Sequence, residues 1–161
     1  MSARKRGRAA VLGMGNTLYS DDGTGIAALR ILEKTGAGPA ETTLIDGSVV
    51  GLEAAALIAE SDRLIILDAV DAGAAPGTLI RMEGDALKGL TGGASVHRLG
   101  IADLLSALAM MGRMPVDVVL LGIQPASIEL GVELTPSVAR AVGDLVSACR
   151  RQLADWNISR G

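Results

Sequence analysis

The stretch GMGNTLYSDDGTG, residues 13–25, decides the reading of this chain. It joins a short apolar run at 9–12 to a segment in which Ile26, Leu29 and Leu32 recur at helical spacing, so the three parts read as strand, glycine-rich turn and helix. A turn of this kind leaves a strand at its carboxyl end, which is where open α/β sheets place their ligands. It carries Asn16 and two adjacent carboxylates, Asp21 and Asp22.

Working outward, the helix runs from about residue 24 to residue 34 and stops in the Gly36 to Pro39 breaker cluster. Residues 42–45 read as a second strand closed by Asp46-Gly47, and 52–59 as a short helix. RLIILDAV, residues 63–70, is the most continuous apolar run and has the look of a central parallel strand buried on both faces. The next strand, 78–83, follows a connection too short for the crossover of about a dozen residues that parallel neighbours need, so it is expected to run antiparallel. Residues 84–95 are glycine-rich and weakly patterned and are expected to form a mobile loop. Ile101, Leu104, Leu105, Leu108 and Met111 then mark one helix face, 116–122 a fifth strand, and Thr135-Pro136 the capped start of a last helix. The expected fold is a three-layer α/β/α sandwich around a five-stranded mixed sheet with one antiparallel strand.

A chain of 161 residues that is 49% hydrophobic and 20% charged has the material for one domain with one core. With no Phe, one Tyr and one Trp, that core must be aliphatic, and a base-stacking nucleic-acid platform is not expected. The net charge of -3 offers no pull on nucleic acid or anionic lipid. The one basic cluster, Arg4, Lys5, Arg6 and Arg8, is expected to be a solvated tail over residues 1–8, ahead of a single domain over 9–161. No stretch reaches the roughly 18 apolar residues of a membrane helix, and the run at 9–12 is too short for a signal peptide. The single Cys149 falls on the stripe Val138, Val142, Leu145, Cys149, Leu153, Trp156 and reads as core packing. A monomer in the reducing cytoplasm, with no membrane or nucleic-acid partner, is the expectation.

Polar residues at the strand ends narrow the chemistry: Asn16, Asp21 and Asp22, then Asp46, then Asp68 and Asp71, with His97, the only histidine, just before the third long helix. Two carboxylates and an imidazole kept neutral by a helix N-terminus would make an O, O, N metal site with open positions. Asp22 reads equally as a cap of the first helix, Asp46-Gly47 as a plain turn, and His97 as a hydrogen-bonding residue. Asp68 is harder to assign to packing, because a carboxylate ending so apolar a strand is costly to bury without compensation. A dinucleotide site is disfavoured, since GMGNTL lacks the third glycine of G-x-G-x-x-G. Walker, H-E-x-x-H, C-x-x-C and G-x-S-x-G motifs are absent.

GMGNTLYSDDGTG, IDG at 45–47, LIILDAVDAGAAPGTL from the third strand into the fourth, HRLGIADLLSAL from 97, and LLGIQP at 120–125 together resemble the hydrogenase maturation endopeptidases. The resemblance spans nearly the whole chain in the family's motif order. It implies a five-stranded sheet with one antiparallel strand, and an activity that removes a short C-terminal extension from the nickel-loaded large-subunit precursor of a nickel-iron hydrogenase. It further implies that Asp22, Asp68 and His97 are the metal ligands and catalytic group and that Asp46 helps recognise the substrate; Asn16, in the first turn, is the other candidate for substrate binding. The acid matched by Asp22 is Glu in some branches of the family. The nickel is implied to arrive with the precursor, and zinc or cadmium to occupy the same ligands in vitro. A non-cleaving module that checks nickel during hydrogenase assembly would carry the same ligands and is the alternative reading.

Overall fold

The structure, a computed structural model, describes residues 8–39, 41–49, 52–88 and 96–158, with backbone only at 49, 52–53, 88, 96–99 and 158. Five strands, β1 (Ala9–Gly13), β2 (Thr43–Asp46), β3 (Arg63–Ala69), β4 (Leu79–Glu83) and β5 (Asp117–Ile123), form one sheet in the order β2-β1-β3-β5-β4. Helices α1 (Thr24–Thr35), α2 (Leu52–Ala59), α3 (Asp85–Lys88), α4 (Val96–Met110) and α5 (Pro136–Ile158) complete it. β2, β1, β3 and β5 are parallel, so their carboxyl ends share one edge, and β4 alone runs antiparallel, on β5. The expected mixed sheet is therefore present. β4 lies beyond β5 and not beside β3: both ends of the short β3–β4 connection lie at one edge, and a few residues cannot cross the sheet whichever strand lies between.

The period-2 alternation of β1 and β3 divides the core into two layers. Val11, Ile65 and Leu67 point to Leu29 and Leu32 of α1 and to Val142 and Leu145 of α5. Ala10, Leu12, Leu64 and Ile66 point the other way, to Ala54 and Ile58 of α2 and to Ile101, Leu104 and Leu108 of α4. Both faces of the central strands are covered, which is why they read as continuous apolar runs, and each fully buried aliphatic side chain contributes roughly 1.5–3 kcal/mol. Cys149 lies in the first layer with the rest of the α5 stripe, and burial pushes its thiol up to about 12. No described helix is long and apolar enough to cross a membrane.

Three expectations change in detail. Part of the 84–95 segment is helical, since α3 occupies Asp85–Lys88, and residues 89–95 lie outside the described set. α4 begins at Val96 and takes His97 into its first turn instead of following it. Of the basic segment, residues 1–7 lie outside the described residues, while the Arg8 carbonyl accepts the N–H groups of Asp62 at 2.9 Å and Arg63 at 3.3 Å at the amino edge of the sheet.

Candidate functional site at the carboxyl edge of the sheet

β1 ends at Gly13, and the chain turns through Met14–Tyr19 into a 3-10 turn, Ser20–Gly23, before α1 starts. Glycine is required at Gly25, because a Cβ there would stand 2.1 Å from the Leu67 carbonyl oxygen and 2.4 Å from that of Met14. The start of α1 is thereby set directly on the end of β3. The Met14 N–H donates to the same Leu67 carbonyl at 2.8 Å, and the 3-10 turn packs against β3. Asp68 follows Leu67, so these contacts bring the turn that carries Asp22 onto the strand end that carries Asp68.

The two carboxylates are nearly closed off from solvent, Asp68 at 2% and Asp22 at 9% exposure. Asp22 Oδ2 accepts the Asn16 N–H at 3.1 Å, and Asp68 Oδ1 accepts the Ala69 N–H at 2.8 Å. Asp22 does not cap α1: the N-cap position is Gly23, with no side-chain cap bond, and Thr24 Oγ1 donates to the Asp21 carbonyl at 2.6 Å. The helix-cap reading of Asp22 is thus set aside by backbone geometry, because the extra 3-10 turn moves the helix start past it.

His97 lies in the first turn of α4, and its side chain is outside the described atoms. Gly100, in the next turn, stands with its Cβ position 3.7 Å from the Met14 methyl, so the start of α4 lies against the end of β1. Asp68 also falls in phase with Leu64 and Ile66, on the sheet face that α4 covers. The turn of Asp22, the strand end of Asp68 and the helix start of His97 therefore share one corner of the carboxyl edge. Among the described residues no group of three His, Cys, Asp or Glu is arranged around a metal position.

Asp46 is exposed at the end of β2, in register with Gly13, and its Oδ1 accepts both the N–H and the Oγ–H of Ser48, at 2.8 and 2.6 Å. That is the self-bonded turn its sequence suggested. Asn16 likewise spends Oδ1 on the Leu18 N–H at 2.9 Å, shaping the turn. Asp71 accepts from Gln124 Nε2 at 3.1 Å.

Two residues matter more than their sequence signals suggested. Asp21 is fully buried, and its carboxylate accepts four hydrogen bonds: Ala126 N–H at 2.8 Å, Ser127 N–H at 3.1 Å, Thr135 N–H at 2.7 Å and Thr135 Oγ1–H at 2.7 Å. Burial alone would raise its pKa, but these four donors outweigh it and the net shift is downward, led by the Thr135 hydroxyl. Gln124, at the end of β5, accepts the N–H groups of Ala72 and Ala74 on Oε1, at 2.7 and 3.2 Å, and so braces the loop that follows Asp68. In the sequence Gln124 shows as a polar residue directly after an apolar strand and within the LLGIQP motif.

A hollow of about 750 Å³ opens at the other end of the sheet, lined among others by Glu83, Leu105, Val116, Asp117 and Trp156. It contains none of the candidate residues.

The family model described as hydrogenase maturation protease matches residues 26–152. The hydrogenase expression/formation protein HupD of Rhodobacter capsulatus is 36% identical over 161 residues, covering 98% of this chain and 77% of that protein. The hydrogenase 2 maturation protease of Escherichia coli is 38% identical over 133 residues, covering 81% of each. Among solved structures, the hydrogenase maturating endopeptidase HybD from E. coli superposes with a TM-score of 0.85 at 33% identity, over 92% of this chain and 93% of that one. The [NiFe] hydrogenase maturation protease HybD from Thermococcus kodakarensis gives 0.77 at 25% identity, over 91% and 99%. With a five-stranded mixed sheet, a carboxylate corner at its carboxyl edge and likeness along nearly all of its length, the chain belongs to the hydrogenase maturation protease family and is a peptidase.

Proposed function

We propose that the protein is an endopeptidase that removes the C-terminal extension of a nickel-loaded hydrogenase large-subunit precursor, and that Asp22, Asp68 and His97 engage the nickel the precursor brings. The observation that carries this reading is the pair of nearly closed-off carboxylates, Asp22 and Asp68, brought to one corner with the first turn of α4 set against it. Asp22 Oδ2 and Asp68 Oδ1 each accept a backbone N–H, and a divalent cation arriving with the substrate would add favourable charge beside two buried carboxylates. Two oxygens and one imidazole nitrogen suit a borderline ion and leave coordination positions for donors of the precursor. Nickel held there would supply Lewis-acid polarisation of the scissile carbonyl or a water, or would position the peptide while a carboxylate acts as base. In this reading Asn16 and Asp46, on turns that follow β1 and β2, meet the peptide around the cut.

The same reading makes the metal a property of the substrate, with zinc or cadmium able to occupy the same ligands in vitro. It puts the reaction in the cytoplasm, where a large-subunit precursor is assembled, and needs one copy of the chain and no nucleic acid or membrane. Incubation with a nickel-loaded precursor followed by intact-mass measurement tests it. The expected outcome is loss of a single C-terminal fragment. Binding with no mass change would overturn the endopeptidase reading in favour of a nickel-checking module.

A further inference from the structure

The loop between β5 and α5 is bound to the first turn by more than Asp21. Tyr19 and Gly131 form a parallel bridge, in which the Ser20 N–H donates to the Gly131 carbonyl at 2.7 Å and the Gly131 N–H to the Leu18 carbonyl at 2.8 Å. The Asp21 N–H donates to the Ser127 carbonyl at 3.1 Å. The approach is close enough that a Cβ on Gly131 would stand 2.9 Å from Ser20 Oγ, and Ser20 holds a left-handed φ of 50° that non-glycine residues rarely adopt. The segment that carries Asp22 and the segment 126–135 are in effect one rigid piece, latched by the buried Asp21.

That piece presents apolar side chains to solvent. Leu18, Tyr19, Ile128, Leu130 and Val132 are all exposed, Leu130 at 80% and Val132 at 79%. They flank the bridge, which begins three residues before Asp22. Glu129 and Glu133, both exposed, alternate with them, and residues 14–25 and 124–135 contain no Lys, Arg or His. An apolar, acidic and pre-set rim continuous with the candidate corner suits an extended peptide bearing apolar and basic side chains.

We propose that this rim, Leu18, Tyr19, Ile128, Leu130 and Val132 with Glu129 and Glu133, is the docking surface for the C-terminal tail of the precursor, and that Asp21 is the positioning residue that holds it in shape. The inference rests on the peptidase reading above and adds where the tail lies and what side chains it needs. A rigid rim avoids part of the ordering cost of binding a flexible tail, which is the advantage of fastening it through a buried carboxylate.

The test measures kcat and KM for cleavage of a nickel-loaded large-subunit precursor. Leu130→Ser with Val132→Ser alters side chains that stand in solvent, so melting should not move, while KM rises about tenfold with kcat within about twofold. Glu129→Lys with Glu133→Lys should also raise KM and flatten its dependence on salt. Thr135→Val removes one donor to Asp21 and should raise KM, and Thr135→Ser, which keeps the hydroxyl, should restore it. Unchanged KM in both double variants overturns the rim, and a Thr135→Val variant that melts earlier at unchanged KM overturns the positioning role of Asp21. Self-association of the wild type that the Leu130→Ser, Val132→Ser pair abolishes would assign the rim to a second copy and overturn the proposal. Should the wild type not cut, calorimetric binding of the same precursor separates the two ideas: weaker binding by the variants upholds the rim and refutes the peptidase reading, whereas equal or absent binding refutes both.

Discussion

Asp21 and Asp22 are adjacent, yet one carboxylate is saturated by donors from a distant loop while the other accepts from the turn beside it, so substitutions at the two positions should separate cleanly. Asp22→Ser loses the carboxylate that accepts the Asn16 N–H and should abolish processing with the fold retained, whereas Asp22→Glu keeps the charge and part of the activity. Thermal melting beside cleavage of a nickel-loaded precursor reads both. Asp68→Asn should likewise abolish processing with the fold intact, since the amide keeps the shape and loses the anionic ligand. Normal cleavage by that variant would remove Asp68 from the mechanism. Asp21 behaves differently. Its pKa is held below the ordinary 3.8, so the stability it adds is complete above that value and drains away as pH falls through the lower folded-state value. Asp21→Asn should cost about 1–3 kcal/mol at neutral pH, because an amide cannot accept from four donors. The gap between wild type and variant should narrow in acid, which denaturant titrations at several pH values will show.

At the scale of elements, the contact of α1 with the end of β3 is the one that places the site. Gly25→Ala forces a methyl into two carbonyl oxygens that belong to backbone and cannot rotate away. The cost should reach the upper end of the roughly 1–3 kcal/mol seen for overpacking, with processing reduced more than stability alone explains. A melting curve and a cleavage assay on the same preparation check it. The elements themselves were legible because their signals are local: apolar runs for the strands, the spacing of Ile26, Leu29 and Leu32 for α1, and Gly and Pro at the stops. The place of β4 beyond β5 was not, since strand order depends on which partner wins across the sheet. Asp22, Asp68 and His97 could be named from strand ends and family motifs, but the latch of Asp21 onto 126–135 joins residues more than a hundred positions apart. Nothing in a neighbouring stretch of sequence announces such a bond.

At the scale of the whole molecule, the reading that nickel comes with the substrate predicts that the purified protein holds well under one equivalent of nickel or zinc, by elemental analysis. A stoichiometric metal that survives chelation and is needed for cleavage would make it an ordinary metallopeptidase. Cys149, buried and with its thiol pushed up to about 12, should resist thiol reagents in the native protein and react only on unfolding.

The scarcity of aromatic residues has a practical side. The sole tyrosine, Tyr19, stands at the carboxyl edge on the latched turn, and the sole tryptophan, Trp156, lies at the opposite edge, where the Arg63 guanidinium sits 5.6 Å from its ring centre. The molecule thus comes with one chromophore at each pole. Fluorotyrosine incorporated biosynthetically would give a single fluorine resonance reporting events at one pole, while indole emission reports the integrity of the other, so local engagement and global unfolding can be watched in one unmutated sample.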